Sequence, residues 1–162
     1  MHAVVVIESC FGNTSQVAEA LIEGLRRSGS EVQRYTAGSA PRRVSADLLL
    51  VGAPTHNMGL PTNASRAQAT NKGGTASAAG VREWIESVEG LDGRIVSFST
   101  TTGGMLAGSA GKAIVKGLRR RGISAVHGAD FTVNGTPGPV ADGELERARE
   151  WGCTLEAGPT RQ

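Results

Sequence analysis

Hydrophobic positions along the chain switch between two periods. "HAVVVIE" (2–8) is a continuous apolar, β-branched run, the pattern of a central strand covered on both faces. Val17, Leu21 and Leu25 then recur at every fourth residue beside Ala18 and Ile22. This spacing predicts an amphipathic helix ending near Gly29, a residue suited to a left-handed cap. "EVQRY" (31–35) alternates as an edge or half-buried strand does, and "ADLLLVGAP" (46–54) is a second buried strand stopped by Pro54. Val81, Trp84, Ile85 and Val88 follow the i, i+3, i+4, i+7 rule of a helix. "RIVSFST" (94–100) predicts a fourth strand and "SAVHGADFTV" (124–133) a fifth. Ala110, Ile114 and Leu118 mark a helix between these two, and Leu145, Ala148, Gly152 and Leu155 a final one.

Five strands separated by helices, with crossovers long enough for βαβ units, predict an α/β fold: a parallel sheet with helices on both faces, doubly wound. The 162 residues fit one domain, 1–162, with a core of ordinary size, and no internal repeat interrupts it. Only "PTNASRAQATNKGGTASAAG" (61–80) lacks apolar periodicity, and it reads as a long loop serving as a lid, a docking segment or a mobile stretch.

In a parallel sheet, ligands sit outside the carboxyl ends of the strands. Three loops leave that edge: "SCFGNTS" (9–15), the stretch from Pro54 to Gly80, and "STTTGGMLAGSAG" (99–111), each rich in Ser, Thr, Asn and Gly. The first precedes a helix, whose opening N–H groups carry partial positive charge and lack intrahelical partners. Ser9, Asn13, Thr14 and Ser15 add short polar groups, and Gly12 permits a tight turn. Two readings stand at this point: a phosphate cradle built from dipoles, since 9–15 holds no Lys or Arg, or a helix cap made by Asn13 or Thr14. A G-x-G-x-x-G dinucleotide fingerprint is absent. "GSAGKA" (108–113) fails as a Walker loop, with Leu106 at the first glycine and Ala113 in place of the magnesium-binding hydroxyl.

"ESCFGNTSQVAEAL" behind an N-terminal strand resembles the phosphate loop of flavodoxins. "GAPTHNMGLP" (52–61) and "STTTGG" (99–104) are similar to the two loops that flank the flavin there, and "GPVADGELERAREWG" (138–152) to the final helix of actinobacterial-type members. The resemblance implies a three-layer sandwich with strand order 2-1-3-4-5 and FMN as cofactor. It implies Ser9, Cys10, Phe11, Gly12, Asn13 and Thr14 at the phosphate. Pro54, Thr55, His56, Asn57, Met58 and Gly59 would lie along one side of the ring, with a reorienting peptide near Met58–Gly59. Ser99, Thr100, Thr101, Thr102, Gly103 and Gly104 would supply the other side. The implied function is electron transfer between redox partner proteins, a flavin reductase and an acceptor enzyme, with no catalytic residue of the chain's own. An FMN-dependent quinone-type reductase and a fold-sharing module without flavin are the alternatives. The chain departs from familiar flavodoxins in having no aromatic residue in 54–80 or 99–111, and "FSTT" (98–101) where related sequences read "FDTR".

Composition adjusts this picture only slightly. Net charge is +2 where the familiar flavodoxins are acidic, and the basic runs "APRRV" and "GLRRRG" read as solvated surface, without the aromatics that a nucleic-acid face would interleave. Cys10 and Cys153 are too far apart in sequence for a motif and are expected to be free thiols in a reducing cytoplasm. Cys10 is either a redox thiol activated by the helix start or a small residue beside the phosphate. His2 and His127 have no ligand-like spacing, so no metal is expected, and no run approaches a membrane span. A monomer or weak dimer is expected.

Overall fold

The computed structural model describes residues 1–157. Its elements, in chain order, are β1 (His2–Ile7), α1 (Asn13–Arg27), β2 (Glu31–Thr36), β3 (Arg43–Pro54), α2 (Asn63–Asn71), α3 (Val81–Ser87), β4 (Gly90–Thr101), α4 (Ala110–Arg120), β5 (Val126–Thr132) and α5 (Glu144–Thr154). All strand pairs are parallel and the sheet order is 2-1-3-4-5, as the resemblance implies.

Strand alternation divides the core into two layers. Ala3, Val5 and Ile7 of β1 and Leu48 and Leu50 of β3 meet α1 and α5 through Val17, Leu21, Leu25 and Ala148. Val4, Val6, Leu49 and Val51 face the opposite way, onto Trp84 and Ile85 of α3 and Ile114 and Leu118 of α4. The continuous apolar runs are required because each central strand must satisfy both layers. Each fully buried Leu or Ile contributes about 1.5–3 kcal/mol. Gly29 takes the expected left-handed cap at φ +93°.

Two expectations fail. No α-helix joins β2 to β3; residues 37–42 hold only a single 3₁₀ turn, Ala37–Ser39. The chain can skip the helix because β3 is entered early, at Arg43, well before its apolar run begins. Segment 61–80 is not simply a loop, because it contains α2. That helix starts on a reciprocal cap, with Thr62 Oγ1 accepting from Ser65 N–H and Ser65 Oγ accepting from Thr62 N–H. It is fastened by a buried arginine rather than an apolar face, so hydrophobic periodicity could not reveal it.

The α1–α5 contact depends on missing side chains. A Cβ on Gly24 would overlap the carbonyl oxygen of Arg149, and one on Gly152 would overlap that of Leu21. In an exposed helix, Gly→Ala stabilises by roughly 0.5–1 kcal/mol. Here Gly24→Ala must push two helices apart and is expected to destabilise by about 1–3 kcal/mol, read from the urea unfolding midpoint. An unchanged or raised midpoint would show that the helices do not pack this closely.

Candidate functional site

The carboxyl edge of the sheet is organised by a buried ion network. Glu8 directly follows β1 and is 5% exposed, and Arg66 of α2 is 3% exposed. Arg66 Nε donates to Glu8 at 2.7 Å, Nη1 donates to Glu83 of α3, and Glu8 also accepts from Val81 N–H at 3.0 Å. Burial works against the guanidinium charge, but the hydrogen bonds to Glu8 and then Glu83 hold its pKa above the ordinary value. The ion pair fixes α2 beside the first loop. Thr75 N–H then donates to Cys10 O at 2.7 Å, and Gly74 approaches so closely that a Cβ would stand 2.9 Å from the Phe11 ring.

Within the first loop every polar side chain is already engaged. Ser9 Oγ accepts from the N–H of Gly12 (3.1 Å) and of Ser15 (3.4 Å). Asn13 donates to Pro137 O at 2.7 Å, and Thr14 shares a buried 2.8 Å bond with Thr100. Gly12, at φ +88°, turns the chain into α1. Asn13 and Thr14 do not cap the helix: Ser9 reaches the helix's third N–H, that of Ser15, while the Asn13 and Thr14 N–H groups find no acceptor among the described residues. The helix start thus keeps free backbone donors, the arrangement that accepts an anion. A cation is also close, since Arg34 of β2 donates to Ser15 Oγ at 2.6 Å while paired to Glu19. The dipole-only site read from residues 9–15 therefore has a guanidinium at its rim.

Cys10 is buried, and its thiol pKa is pushed up to about 11, first by burial and then by the Glu8 carboxylate. This overturns the activated-thiol reading: the nearby carboxylate and desolvation outweigh the helix start.

The second loop departs from expectation in its details. His56 and Gly59 exchange two 2.9 Å backbone bonds around Asn57 (φ 49°) and Met58 (φ 69°), a two-residue turn whose positive angles fall on these residues and not on Gly59. The His56 ring does not face the third loop; Nδ1 bonds Ser65 Oγ at 2.9 Å, and burial lowers its pKa. Met58 is 62% exposed and forms a bridge with Gly108, where a Cβ would overlap the Met58 backbone. Thr55 is tied to the third loop twice, through Thr100 O and Ala110 N–H.

In the third loop, Ser99 and Ser109 donate to the Asp130 carboxylate, which also meets His127 at 3.2 Å. Burial raises the Asp130 pKa, but these partners outweigh it and hold it below the ordinary value. Thr101 Oγ1 accepts from Gly103 N–H at 3.3 Å, while Thr102 and Gly104 are exposed.

A fourth loop escaped the sequence reading. Residues 133–140 close over the same edge, with Gly135 and Thr136 lining the cleft and Pro137 accepting from Asn13. The Gly- and Pro-rich "NGTPGP" after the fifth strand was the available signal. Phe11, which the resemblance assigns to the phosphate, supplies an aromatic ring at this edge. It lines a 150 Å³ hollow with His56, Gln68, Lys72 and Thr136. The cleft that brings together Ser9, Cys10, Phe11, Asn13, Thr14, Pro54, Thr55, His56, Thr100, Thr101 and Thr102 measures only about 50 Å³. Ligand pockets run to roughly 300–1,000 Å³. The free backbone donors suit a phosphate, whereas a planar ring needs more room than this cleft provides.

Two outcomes are expected. Arg66→Met strands Glu8 in a buried position and should cost about 3–5 kcal/mol in unfolding free energy, with Glu8→Gln added to it restoring a part. Iodoacetamide at pH 8 should label exposed Cys153 and leave Cys10 unmodified, as read by mass spectrometry. Equal labelling would mean that the first loop is open to solvent.

Among the described residues no helix is long and apolar enough to cross a membrane. No protein-family profile and no curated protein matches the sequence. Solved structures do. A flavodoxin from the domain Archaea is 18% identical, with TM-score 0.62 and 97% of each chain covered. Oxidised flavodoxin 1 from Bacillus cereus is 15% identical, with TM-score 0.64, 99% of this chain covered and 100% of that one. The flavodiiron protein from Giardia intestinalis is 21% identical, with TM-score 0.58, and 96% of this chain matches 35% of that one. At such identities the likeness is one of architecture: the chain has the flavodoxin-like fold.

Proposed function

We propose that the chain binds FMN at the carboxyl edge of its sheet and carries electrons between redox partner proteins. The observation behind this reading is the start of α1, where Gly12 turns the loop and the Asn13 and Thr14 N–H groups remain free beneath Ser9 and beside Arg34. These groups would hold the phosphate, and Thr55, Thr100 and Thr101 would border the ring with backbone and hydroxyl groups. When bound, FMN would supply the electron-accepting isoalloxazine, while the protein contributes binding, orientation and exclusion of water. The structural neighbours that are flavodoxins agree with this choice of group. The small volume of the cleft favours a second reading, a flavodoxin-fold module without flavin, which the same experiment decides.

Ser9→Asp gives the sharpest test. An aspartate can still accept from Gly12 and Ser15 N–H, as helix-start carboxylates do, but it sets a negative charge where the phosphate would lie. Titration followed by flavin fluorescence and visible absorbance should show FMN binding far tighter than riboflavin. Ser9→Asp should weaken FMN by about 100-fold, leaving riboflavin affinity and thermal stability unchanged. Equal affinity for FMN and riboflavin in the unaltered chain would place the phosphate elsewhere, and no binding of either would leave the flavin-free module. Given bound flavin, NAD(P)H-driven quinone reduction without a separate reductase would make the chain an enzyme instead of a carrier.

A further inference from the structure

On the solvent side of α4, Lys112, Lys116, Arg119 and Arg120 stand at i, i+4, i+7 and i+8, a single stripe about 12 Å long. All four are exposed, and among the described residues none has a carboxylate within ion-pair distance. Several other arginines are paired with carboxylates, as in Arg27–Glu23, Arg34–Glu19, Arg43–Glu89 and Arg147–Glu144. The stripe borders a groove of about 670 Å³ shared with Val115 and with His127 of β5. Strand β5 pairs only with β4, and the far end of its outer edge is covered by Glu144 on Thr132 N–H, Ala141 N–H on Thr132 O and Arg147 on Asp130 O.

Three exposed apolar residues gather at the head of the stripe, where α4 begins. The strongly exposed large hydrophobics of the described chain are Met58 (62%), Met105 (99%), Leu106 (81%) and Val126 (53%). Met105 and Leu106 sit in the turn that leads into α4, closed by Ala107 N–H on Gly104 O. Met58 joins them through its bridge to Gly108, whereas Val126 shares the strand face of Gly128, which meets Trp151 of α5 on the other side of the sheet. An apolar knuckle thus continues into an uncompensated basic stripe, the pairing of apolar centre and charged rim found at protein interfaces.

We propose that this face, made by the 104–109 turn, α4 and the start of β5, docks an acidic partner protein that presents leucine-type side chains among its carboxylates. The assignment stands on charge and shape and does not depend on flavin binding. The concave groove suits a chain segment better than a flat anionic bilayer, and a nucleic acid offers nothing to the methionine and leucine side chains. A second copy would bring four cations against four. Carboxylates on the partner would be steered by the stripe, and the knuckle would bury its apolar groups.

The test uses the full chain, nitrogen-15 labelled, titrated with a glutamate-rich peptide carrying interspersed leucines, and with poly-glutamate, phosphatidylserine vesicles and duplex DNA. The expected result is salt-sensitive binding of the leucine-containing peptide in preference to all others, with amide shifts confined to residues 104–120 and 126–128. Combined Lys112→Gln, Lys116→Gln, Arg119→Gln and Arg120→Gln changes, all at exposed positions, should weaken that peptide by roughly tenfold or more. Met105→Ser with Leu106→Ser should erase its advantage over poly-glutamate. No binding, shifts elsewhere, or affinity unmoved by the four glutamines would overturn the proposal, as would tighter binding of vesicles or DNA.

Discussion

The carboxyl edge of this protein depends on satisfying one buried carboxylate. Glu8 follows directly on a run of five buried residues and cannot reach bulk water. An isolated charge there would be untenable, so the structure must deliver a cation and hydrogen-bond donors to it. Arg66 supplies the cation and Val81 N–H a further donor, and Glu83 accepts from the guanidinium N–H groups that Glu8 leaves free. The consequences extend outward. To bring Arg66 in, the chain after β3 must form α2 across the end of β1. That places Ser65 where it holds His56 and sets Gly74 and Thr75 on the backbone of Cys10. The same carboxylate raises the Cys10 thiol, so the network decides both the shape and the chemistry of the first loop.

This arrangement separates structural from available polar groups. Ser9, Asn13, Thr14 and Ser15 look from their identities like four ligand-binding side chains, yet each is committed to the protein: to the loop backbone, to the 133–140 loop, to β4 and to β2 respectively. They fix the curvature of the loop, and the free donors are backbone N–H groups. An anion site of this kind is rigid at little entropic cost, because its donors are held by the helix they begin.

The strands and four of the helices were legible because they follow from periodicity: each apolar run of β1, β3 and β4 had to face two helical layers, and the stripes of α1, α3, α4 and α5 supplied them. The strand order itself came from the resemblance to flavodoxins. Helix α2 was not legible because its packing side chain is an arginine, which hydropathy counts as solvent-facing, and its N3 residue is Ser65 rather than a glutamate. The helix expected between β2 and β3 was inferred from a rule about crossovers, not from residues 37–42 themselves. Arg34 and Asp130 were hidden for another reason. Each lies far in sequence from the loop it serves, and only the register of neighbouring parallel strands brings them together, Asp130 opposite Ser99 and Arg34 opposite Val5.

The turn at 56–59 is the one part of the edge where opposing terms nearly balance. Asn57 and Met58 both hold left-handed backbone angles, and for a residue such as methionine this costs roughly 1–2 kcal/mol. Against that stand the two His56–Gly59 bonds and the bridge to Gly108, each contributing about 0.5–1.5 kcal/mol net. Met58 adds little by burial, being mostly exposed. The neighbouring anchors differ in kind. Thr55 is tied to Thr100 and Ala110 as an extension of the sheet, and His56 is held by α2, itself fixed by Arg66. Within the second loop, Asn57, Met58 and Gly59 are therefore the residues whose conformation is least strongly held, between two firmly anchored neighbours on one side and Gly108 on the other.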